Sequence, residues 1–260
     1  MKINNSLNIT IIIFVRLDTI ERLENIIATT KYLLKNFVVQ IIVLECASFC
    51  NGIMEELLSK NILYSFQEDH DPILYRTKYL NQMMKSVDTP FVAVWDTDVI
   101  VPIDQIFKAI ELLNNGEADF VYPYERLFLD TSFILRKFFI ETGDIEVLNQ
   151  NVKMMKEMYT PNPLGGAFLA NVKAYKESGL ENEDFYGWGM EDGERYYRWE
   201  NLGYKVMRIP GPLFHLSHGR GINSVFHNTD QLFYKRKAVM NILRNRSIDI
   251  SRLNIEHLTF

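Results

Sequence analysis

Two carboxylates stand one residue apart in FVAVWDTDVIVP, where Asp96 and Asp98 follow the apolar run 91–95. Like charges that close repel each other, so such a pair is at ease only beside positive charge. A divalent cation is the candidate. The pattern alone is weak, because Asp69 and Asp71 in EDHDP repeat it. Asp after a strand also serves a turn or caps the next helix. Only the pair at Asp96 and Asp98 ends a strong apolar run. A second group lies in FYGWGMEDGERYYRW, where Gly187 and Gly189 bracket Trp188 ahead of Glu191, Asp192 and Glu194. Glycine lets backbone approach a ligand closely, and an aromatic ring beside such a turn is a platform for the apolar face of a sugar. Acidic residues are also what a helix N-terminus favours, and the two roles are compatible. A third group, PLFHLSHGRG, puts His215 and His218 three apart, ahead of Arg220. Imidazole with carboxylate and water suits manganese among the divalent ions.

These groups need elements to position them. The β-branched run 9–15 reads as a buried strand, and so do 37–45, 62–66 and 91–95. Ile20, Leu23, Ile27 and Leu34 fall near helical spacing, and 76–85 reads as a helix. Pro102 and Ile103 open another helix, which Asn114, Asn115 and Gly116 end with turn chemistry. A strand follows over 119–124. Such alternation predicts an α/β fold, a mostly parallel central sheet flanked by helices. Ligands bind such sheets outside the carboxyl ends of the strands, where Asp96 and Asp98 would lie. The second half is less regular. Residues 131–160 read as helices over one face, 165–180 as strand, turn and helix, 190–202 as a helix, and 204–209 as a late strand. The stretch 228–246 reads as a closing helix, with Leu232, Val239, Met240 and Leu243 on one face. No repeat or linker interrupts the chain. It reads as a single domain, about 1–125 for a nucleotide half and about 126–260 for a second-substrate half.

Bulk properties narrow the classes. The chain has 260 residues and a formal net charge of −5, so no global basic field points to nucleic acid. Its two cysteines, Cys46 and Cys50, match no zinc spacing and are too few to staple a domain this size. Reduced thiols in a cytosolic protein are the expectation. The apolar run 9–15 is closed by Arg16 and Asp18 with no small-residue cleavage site, so a secretory signal is not expected. No apolar run approaches the ~20 residues of a membrane span.

Taken in order, LYRTKYLNQMMKSVDTPFVAVWDTDVIVP, LGGAF, YGWGMEDGE and HLSHGRG resemble the β-1,4-galactosyltransferases and their bacterial relatives over most of the chain, from residue 11 to about 220. The resemblance implies a GT-A fold and a metal-dependent, inverting enzyme using UDP-galactose or UDP-N-acetylgalactosamine. It implies Asp98 as the metal-binding aspartate, with Asp96 beside it near the ribose and the metal's waters. His218 matches the family's metal histidine. The family has a methionine ligand three residues earlier, where this chain has His215, so either or both histidines are candidate ligands for Mn2+ or Mg2+. Arg16 and Arg76 resemble the arginines that hold the uridine diphosphate. Glu191 and Asp192 resemble the acceptor-binding acid and the general base, Trp188 the tryptophan of the sugar site, and Gly165 and Gly166 the pair beside the donor sugar. Two features depart from the pattern: Gly193 interrupts the acidic run, and YTPNPL replaces an aromatic approach to Gly165. The animal enzymes carry a membrane anchor and cysteine bridges that are not seen here, so a bacterial, cytoplasmic setting in polysaccharide biosynthesis is expected.

In this chemistry a divalent ion neutralises the departing diphosphate. Arg76 and Arg16 hold phosphate oxygens or orient the nucleotide, and Asp192 takes the proton of the attacking hydroxyl. Glu45, ending the second strand, is a candidate for a uracil or ribose hydrogen bond. The acceptor is a glycan or a lipid-linked glycan. Lys235, Arg236, Lys237, Arg244 and Arg246 on the last helix make a solvated face or a contact with anionic lipid at the inner face of the membrane. Two other readings compete. A haloacid-dehalogenase-type phosphohydrolase also uses a strand followed by Asp-x-Asp, but there the motif closes the first strand, and three strand candidates precede it here. A carbohydrate-binding relative without catalysis is the other.

Overall fold

The structure is a computed structural model and describes residues 6–159, 161, 163–226 and 229–244. Elements follow one another as β1 (Ser6–Val15), α1 (Ile20–Asn36), β2 (Val38–Ala47), α2 (Ile53–Leu57), β3 (Ile62–Glu68), α3 (Arg76–Met83), β4 (Phe91–Trp95), β5 (Val99–Ile100), α4 (Ile103–Asn114) and β6 (Phe120–Tyr122). The second half adds β7 (Phe128–Asp130), α5 (Phe133–Thr142), α6 (Glu146–Asn149), β8 (Lys156–Met158), β9 (Ala167–Asn171), α7 (Val172–Glu177), α8 (Glu191–Asn201), β10 (Val206–Arg208), β11 (Leu213–His215) and α9 (Thr229–Arg244). Local chemistry accounts for the boundaries. The Thr19 hydroxyl caps α1 by accepting from the Arg22 amide at 3.2 Å. Gly116, at a left-handed φ of +68°, turns the chain out of α4.

The main sheet has the order β10-β6-β9-β4-β1-β2-β3. All neighbours are parallel except β9, which runs antiparallel to both β4 and β6. Its central strands are continuous apolar runs; Ile12, Ile13, Val43, Val92 and Phe120 are fully buried, as helices on both faces require. The reversed strand matters for the site. Because β9 runs backwards, its start meets the end of β4: Trp95 pairs with Ala167, and the Asp96 amide donates to the Gly166 carbonyl at 2.8 Å. Strands β9 and β10, from the second half of the chain, complete the sheet of the first half, and one apolar core runs through both.

A second sheet, β5-β11-β7-β8, was not foreseen. Its strands are two or three residues long. It occupies part of the stretch read as helices alone, alongside α5 and α6. In it His215 pairs with Val99 on one side and with Asp130 on the other. Helix α9 spans most of the expected closing helix; Asn228, Ser247 and everything between Arg244 and the C-terminus lie outside the described residues, Arg246 included. Cys46 is buried and Cys50 exposed, both as free thiols. Among the described residues no helix is long and apolar enough to cross a membrane.

Candidate functional site

The turn between β4 and β5 carries Asp96 and Asp98 and is held from three sides. Trp95 Nε1 donates to the Val99 carbonyl at 2.9 Å, closing the turn. The Thr29 hydroxyl of α1 donates to the Thr97 carbonyl at 3.0 Å. The Leu216 amide donates to the Asp98 carbonyl at 2.7 Å, which docks the His215–His218 segment against the turn. Asp98 is thereby set between the two histidines. Its carboxylate lies 3.0 Å from His218 Nε2 and 3.8 Å from His215 Nε2. One ligand atom from each of Asp98, His215 and His218 falls within 4.8 Å of the others.

Each imidazole has its far nitrogen tied. His215 Nδ1 bonds the Asp130 carboxylate at 2.7 Å, and His218 Nδ1 donates to the Gly219 carbonyl at 2.8 Å. Both Nε2 atoms therefore face Asp98, and a carboxylate behind an imidazole is the arrangement that orients metal-binding histidines. Burial disfavours charge on Asp98, but the two histidines outweigh it and hold the carboxyl well below the usual range. His218 moves the opposite way: burial works against its charge, yet the hydrogen bond and charge of Asp98 raise its pKa. A carboxylate with two imidazole nitrogens is a donor set that fits a divalent ion of the manganese kind.

Asp96 sits beside this group at the floor of a cleft of about 600 Å³. It pairs with Arg76, Nη2 to Oδ1 at 2.7 Å. Although 37% of its side chain is accessible, the surrounding protein pushes its pKa up; Arg76 opposes this, and Asp98 and Asp192 add to it. Arg76 keeps a buried Nη1 with no hydrogen-bond partner. An unsatisfied guanidinium nitrogen lining a cleft is poised for an anionic oxygen.

Arg16 also lines the cleft, but its guanidinium is committed. It donates to the Asp69 carboxylate at 2.9 Å and to the carbonyls of Cys46 at 3.1 Å and Asp71 at 2.7 Å. It shapes the cleft wall rather than presenting a free fork. Glu45 lies elsewhere: strand β2 runs on to Ala47, and Glu45 within it is buried and accepts from the Tyr64 hydroxyl at 2.7 Å. It is absent from the cleft lining.

Lining the same cleft, α8 opens with Glu191 and Asp192 in its first turn, where the helix dipole favours them. Gly193 does not break this helix, and a side chain there would meet open space. Asp192 Oδ1 accepts from Arg195 Nη2 at 2.6 Å, and buried Arg195 forks onto Glu181 at 2.8 and 3.0 Å. The other oxygen of Asp192 rests on Gly165: a Cβ there would lie 2.8 Å from Oδ2. Gly166, at φ +85°, is equally constrained, since a Cβ would press on Leu213 and Phe128. Glu191 is buried, and its Oε2 has no hydrogen-bond partner. Burial and the neighbouring Asp192 push its pKa up to about 7, against Arg76 and Lys235. Trp188 lines the same cleft and packs edge-on against Phe226, centroids 5.1 Å apart.

The structure thus gathers Arg16, Arg76, Asp96, Asp98, Gly165, Gly166, Trp188, Glu191, Asp192, His215 and His218 around one cleft, and leaves Glu45 out. Sequence reasoning missed Asp130, Arg195 and Glu181. Of YTPNPL, Thr160 and Asn162 lie outside the described residues.

Residues 149–220 match the family described as N-terminal domain of galactosyltransferase. No curated protein sequence matches the chain. Among solved structures, the catalytic domain of Drosophila beta1,4-galactosyltransferase 7, in complex with xylobiose, is 16% identical over 88% of this chain and 79% of that one, with a TM-score of 0.51. Glucosyl-3-phosphoglycerate synthase of Mycobacterium tuberculosis, in complex with Mn2+, UDP and glucosyl-3-phosphoglycerate, is 14% identical over 93% and 80%, with a TM-score of 0.52. TarS of S. aureus is 12% identical over 94% of this chain but only 41% of its own, with a TM-score of 0.56. Identities this low speak to fold alone; the sequence match supplies the family likeness. With the galactosyltransferase-like segment set inside that shared fold, the chain has a GT-A type fold and resembles the β-1,4-galactosyltransferases over residues 149–220.

Proposed function

We propose that this protein transfers galactose or N-acetylgalactosamine, with inversion and with a divalent ion, from a UDP-sugar to a hydroxyl of a glycan or lipid-linked glycan. The observation that carries the reading is the grouping of Asp98, His215 and His218 within 4.8 Å in the cleft that Asp192 and Glu191 also line. The mycobacterial enzyme of the same fold was solved with Mn2+ and UDP, which supports this choice of ligands.

Asp98, His215 and His218 would hold Mn2+ or Mg2+. When bound, such an ion neutralises the negative charge of a departing diphosphate. Arg76 adds to this through its unpaired Nη1, which binds a phosphate oxygen while Asp96 fixes the other side of the guanidinium. Arg16 orients the nucleotide indirectly, by locking the Asp69–Pro72 segment to the end of β2. Gly165 and Gly166 leave room for the sugar ring, and Trp188 offers its face. Glu191, with a pKa near neutrality, can both accept and donate a hydrogen bond to acceptor hydroxyls. Asp192 takes the proton of the attacking hydroxyl. The phosphohydrolase reading loses ground, because Asp96, its nucleophile, is tied to Arg76 and the fold is that of GT-A enzymes.

The basic residues of α9, read as a solvated face or a contact with anionic lipid, do not share one exposed stripe. Lys235 is buried, whereas Phe233, Tyr234 and Lys237 are exposed. Aromatic side chains beside a cation suit a membrane interface, so contact with the inner face of the membrane, in a cytoplasmic enzyme, rests on those three residues.

One experiment tests the reading as a whole. A panel of UDP-sugars is offered with Mn2+, with free glycans or with acceptors on anionic vesicles, and released UDP is measured. UDP-galactose or UDP-N-acetylgalactosamine should turn over, and chelation should stop it. Turnover of simple phosphate esters instead would reject the reading; equal rates on vesicles lacking anionic lipid would reject the membrane contact.

Asp130 provides a separate check. Asp130→Asn leaves His215 in place but removes the carboxylate behind its Nδ1, and loss of such a partner weakens metal affinity by about 10–100-fold. Calorimetric titration with Mn2+ should show that loss; an unchanged affinity would mean that His215 is not a ligand.

A further inference from the structure

The loop that carries Trp188 has an unusual backbone. Gly187, Gly189 and Met190 adopt left-handed φ values of +74°, +95° and +72°. Such a path turns carbonyls away from any regular ladder, and they need partners from elsewhere. Helix α9 supplies partners for three in succession. Gln231 Nε2 donates to the Tyr186 carbonyl at 2.9 Å, and Lys235 Nζ donates to those of Gly187 at 3.1 Å and Trp188 at 2.9 Å. Lys235 is only 3% exposed. Its ammonium is further enclosed by Phe226, whose centroid is 5.9 Å away. The same ring fills the space where a Cβ on Gly189 would sit at 2.8 Å. The Tyr186 hydroxyl donates to the Asp71 carboxylate at 2.7 Å.

A lysine at a helix–loop contact can simply add stability, but a buried ammonium is a poor choice for that alone. Desolvation makes it costly, and an apolar side chain of similar length packs as well. What an apolar side chain cannot do is fix the directions of two consecutive carbonyls. Those carbonyls belong to the peptide units on either side of Trp188 and lie a few residues before Glu191 and Asp192.

We infer that Lys235 is a positioning residue: through the carbonyls of Gly187 and Trp188 it sets the orientation of the Trp188 ring and the start of α8, and so the acceptor side of the cleft. Its kinetic consequence rests on the transfer activity proposed above; its structural consequence does not.

Tryptophan fluorescence separates the two. The chain has three tryptophans, and Trp95 and Trp199 are 2% and 0% exposed, so acrylamide quenching reports on Trp188. Lys235→Met keeps an apolar stem and removes the donors. Quenching should rise about two- to threefold in this variant, as the ring is released, with a smaller rise in Gln231→Leu, which loses the neutral hydrogen bond to the Tyr186 carbonyl. The acceptor KM should rise about tenfold, the scale of one lost charge-assisted hydrogen bond, with binding of Mn2+ and UDP held within about twofold. Wild-type quenching in either folded variant overturns the inference, and so does an equal loss of donor and acceptor binding. Raised quenching in a protein that transfers no sugar, the wild type included, leaves the loop's anchor standing and removes the transfer reading.

Discussion

Asp98→Asn should lower the proposed manganese-dependent turnover by about a thousandfold, the scale expected when electrostatic stabilisation of a leaving group is lost. The substitution keeps the shape of the side chain and changes only its charge and one acceptor atom. Both imidazoles present Nε2 to that carboxylate, and each is pinned from behind, His215 by Asp130 and His218 by the Gly219 carbonyl. An amide there supplies no negative charge between the two rings, so the donor set loses the member that makes it selective for a divalent cation. The fold should survive. Removing one member of a buried ion pair is damaging when the other must stay charged, but His218 can shed its proton and remain as neutral imidazole. Thermal unfolding gives the cleanest readout. Ligands that bind only the native state raise the melting temperature, so Mn2+ with UDP should stabilise the wild type and leave the Asn variant unmoved. An Asn variant with an undiminished manganese requirement would falsify the ligand role of Asp98.

The parts of the fold legible in the sequence were those whose signal is long and local. Strands β1, β2 and β4 are contiguous apolar runs, and α1, α4 and α8 carry helical spacing with caps or turn residues. The second sheet left no such mark, because strands of two or three residues have no room for an alternation to show. That sheet joins His215 to Asp130 across 85 residues of sequence, so the most direct support of the candidate metal site was the least visible. The reversed direction of β9 is likewise silent in its composition, although it is what carries Gly165 and Gly166 to Asp96. Glu45 shows the opposite case. Its position near a strand end suggested a ligand, but Tyr64 on the neighbouring strand takes its carboxylate. Lys235 could have been found: it lies four residues from Gln231 and four from Val239, on the stripe that continues to Leu243 and faces inward, yet it was read with its basic neighbours as part of an outer face.

Asp192→Asn should lower kcat by about 10²–10⁴, the contribution of a positioned base, while Mn2+ and UDP bind within about twofold of the wild type. The geometry makes this a sharp substitution. One carboxylate oxygen is occupied by Arg195, which is itself fixed by its fork onto Glu181 and by stacking over Phe168 at 4.3 Å. The other lies against Gly165, beside the carbonyl-to-amide link between Gly166 and Asp96. Asparagine can keep its carbonyl toward Arg195 and place its NH2 where the second oxygen was. Shape and anchoring are then retained, and only the capacity to take a proton is lost. An inverting transfer needs its base on the face of the sugar opposite the leaving diphosphate. Asp192 projects from the start of α8, whereas Asp98 and the two histidines sit on the β4 turn and the second sheet. Gly165→Ala probes the same oxygen from the other side, since its Cβ would force Oδ2 to move. It should lower kcat without abolishing it, because the carboxylate is displaced rather than removed, and a displacement of about 1 Å can cost roughly a hundredfold. If the Asn variant transfers sugar at the wild-type rate while the Ala variant is impaired, Gly165 serves the sugar directly and the base must be sought elsewhere, with Glu191 the next carboxylate in the cleft.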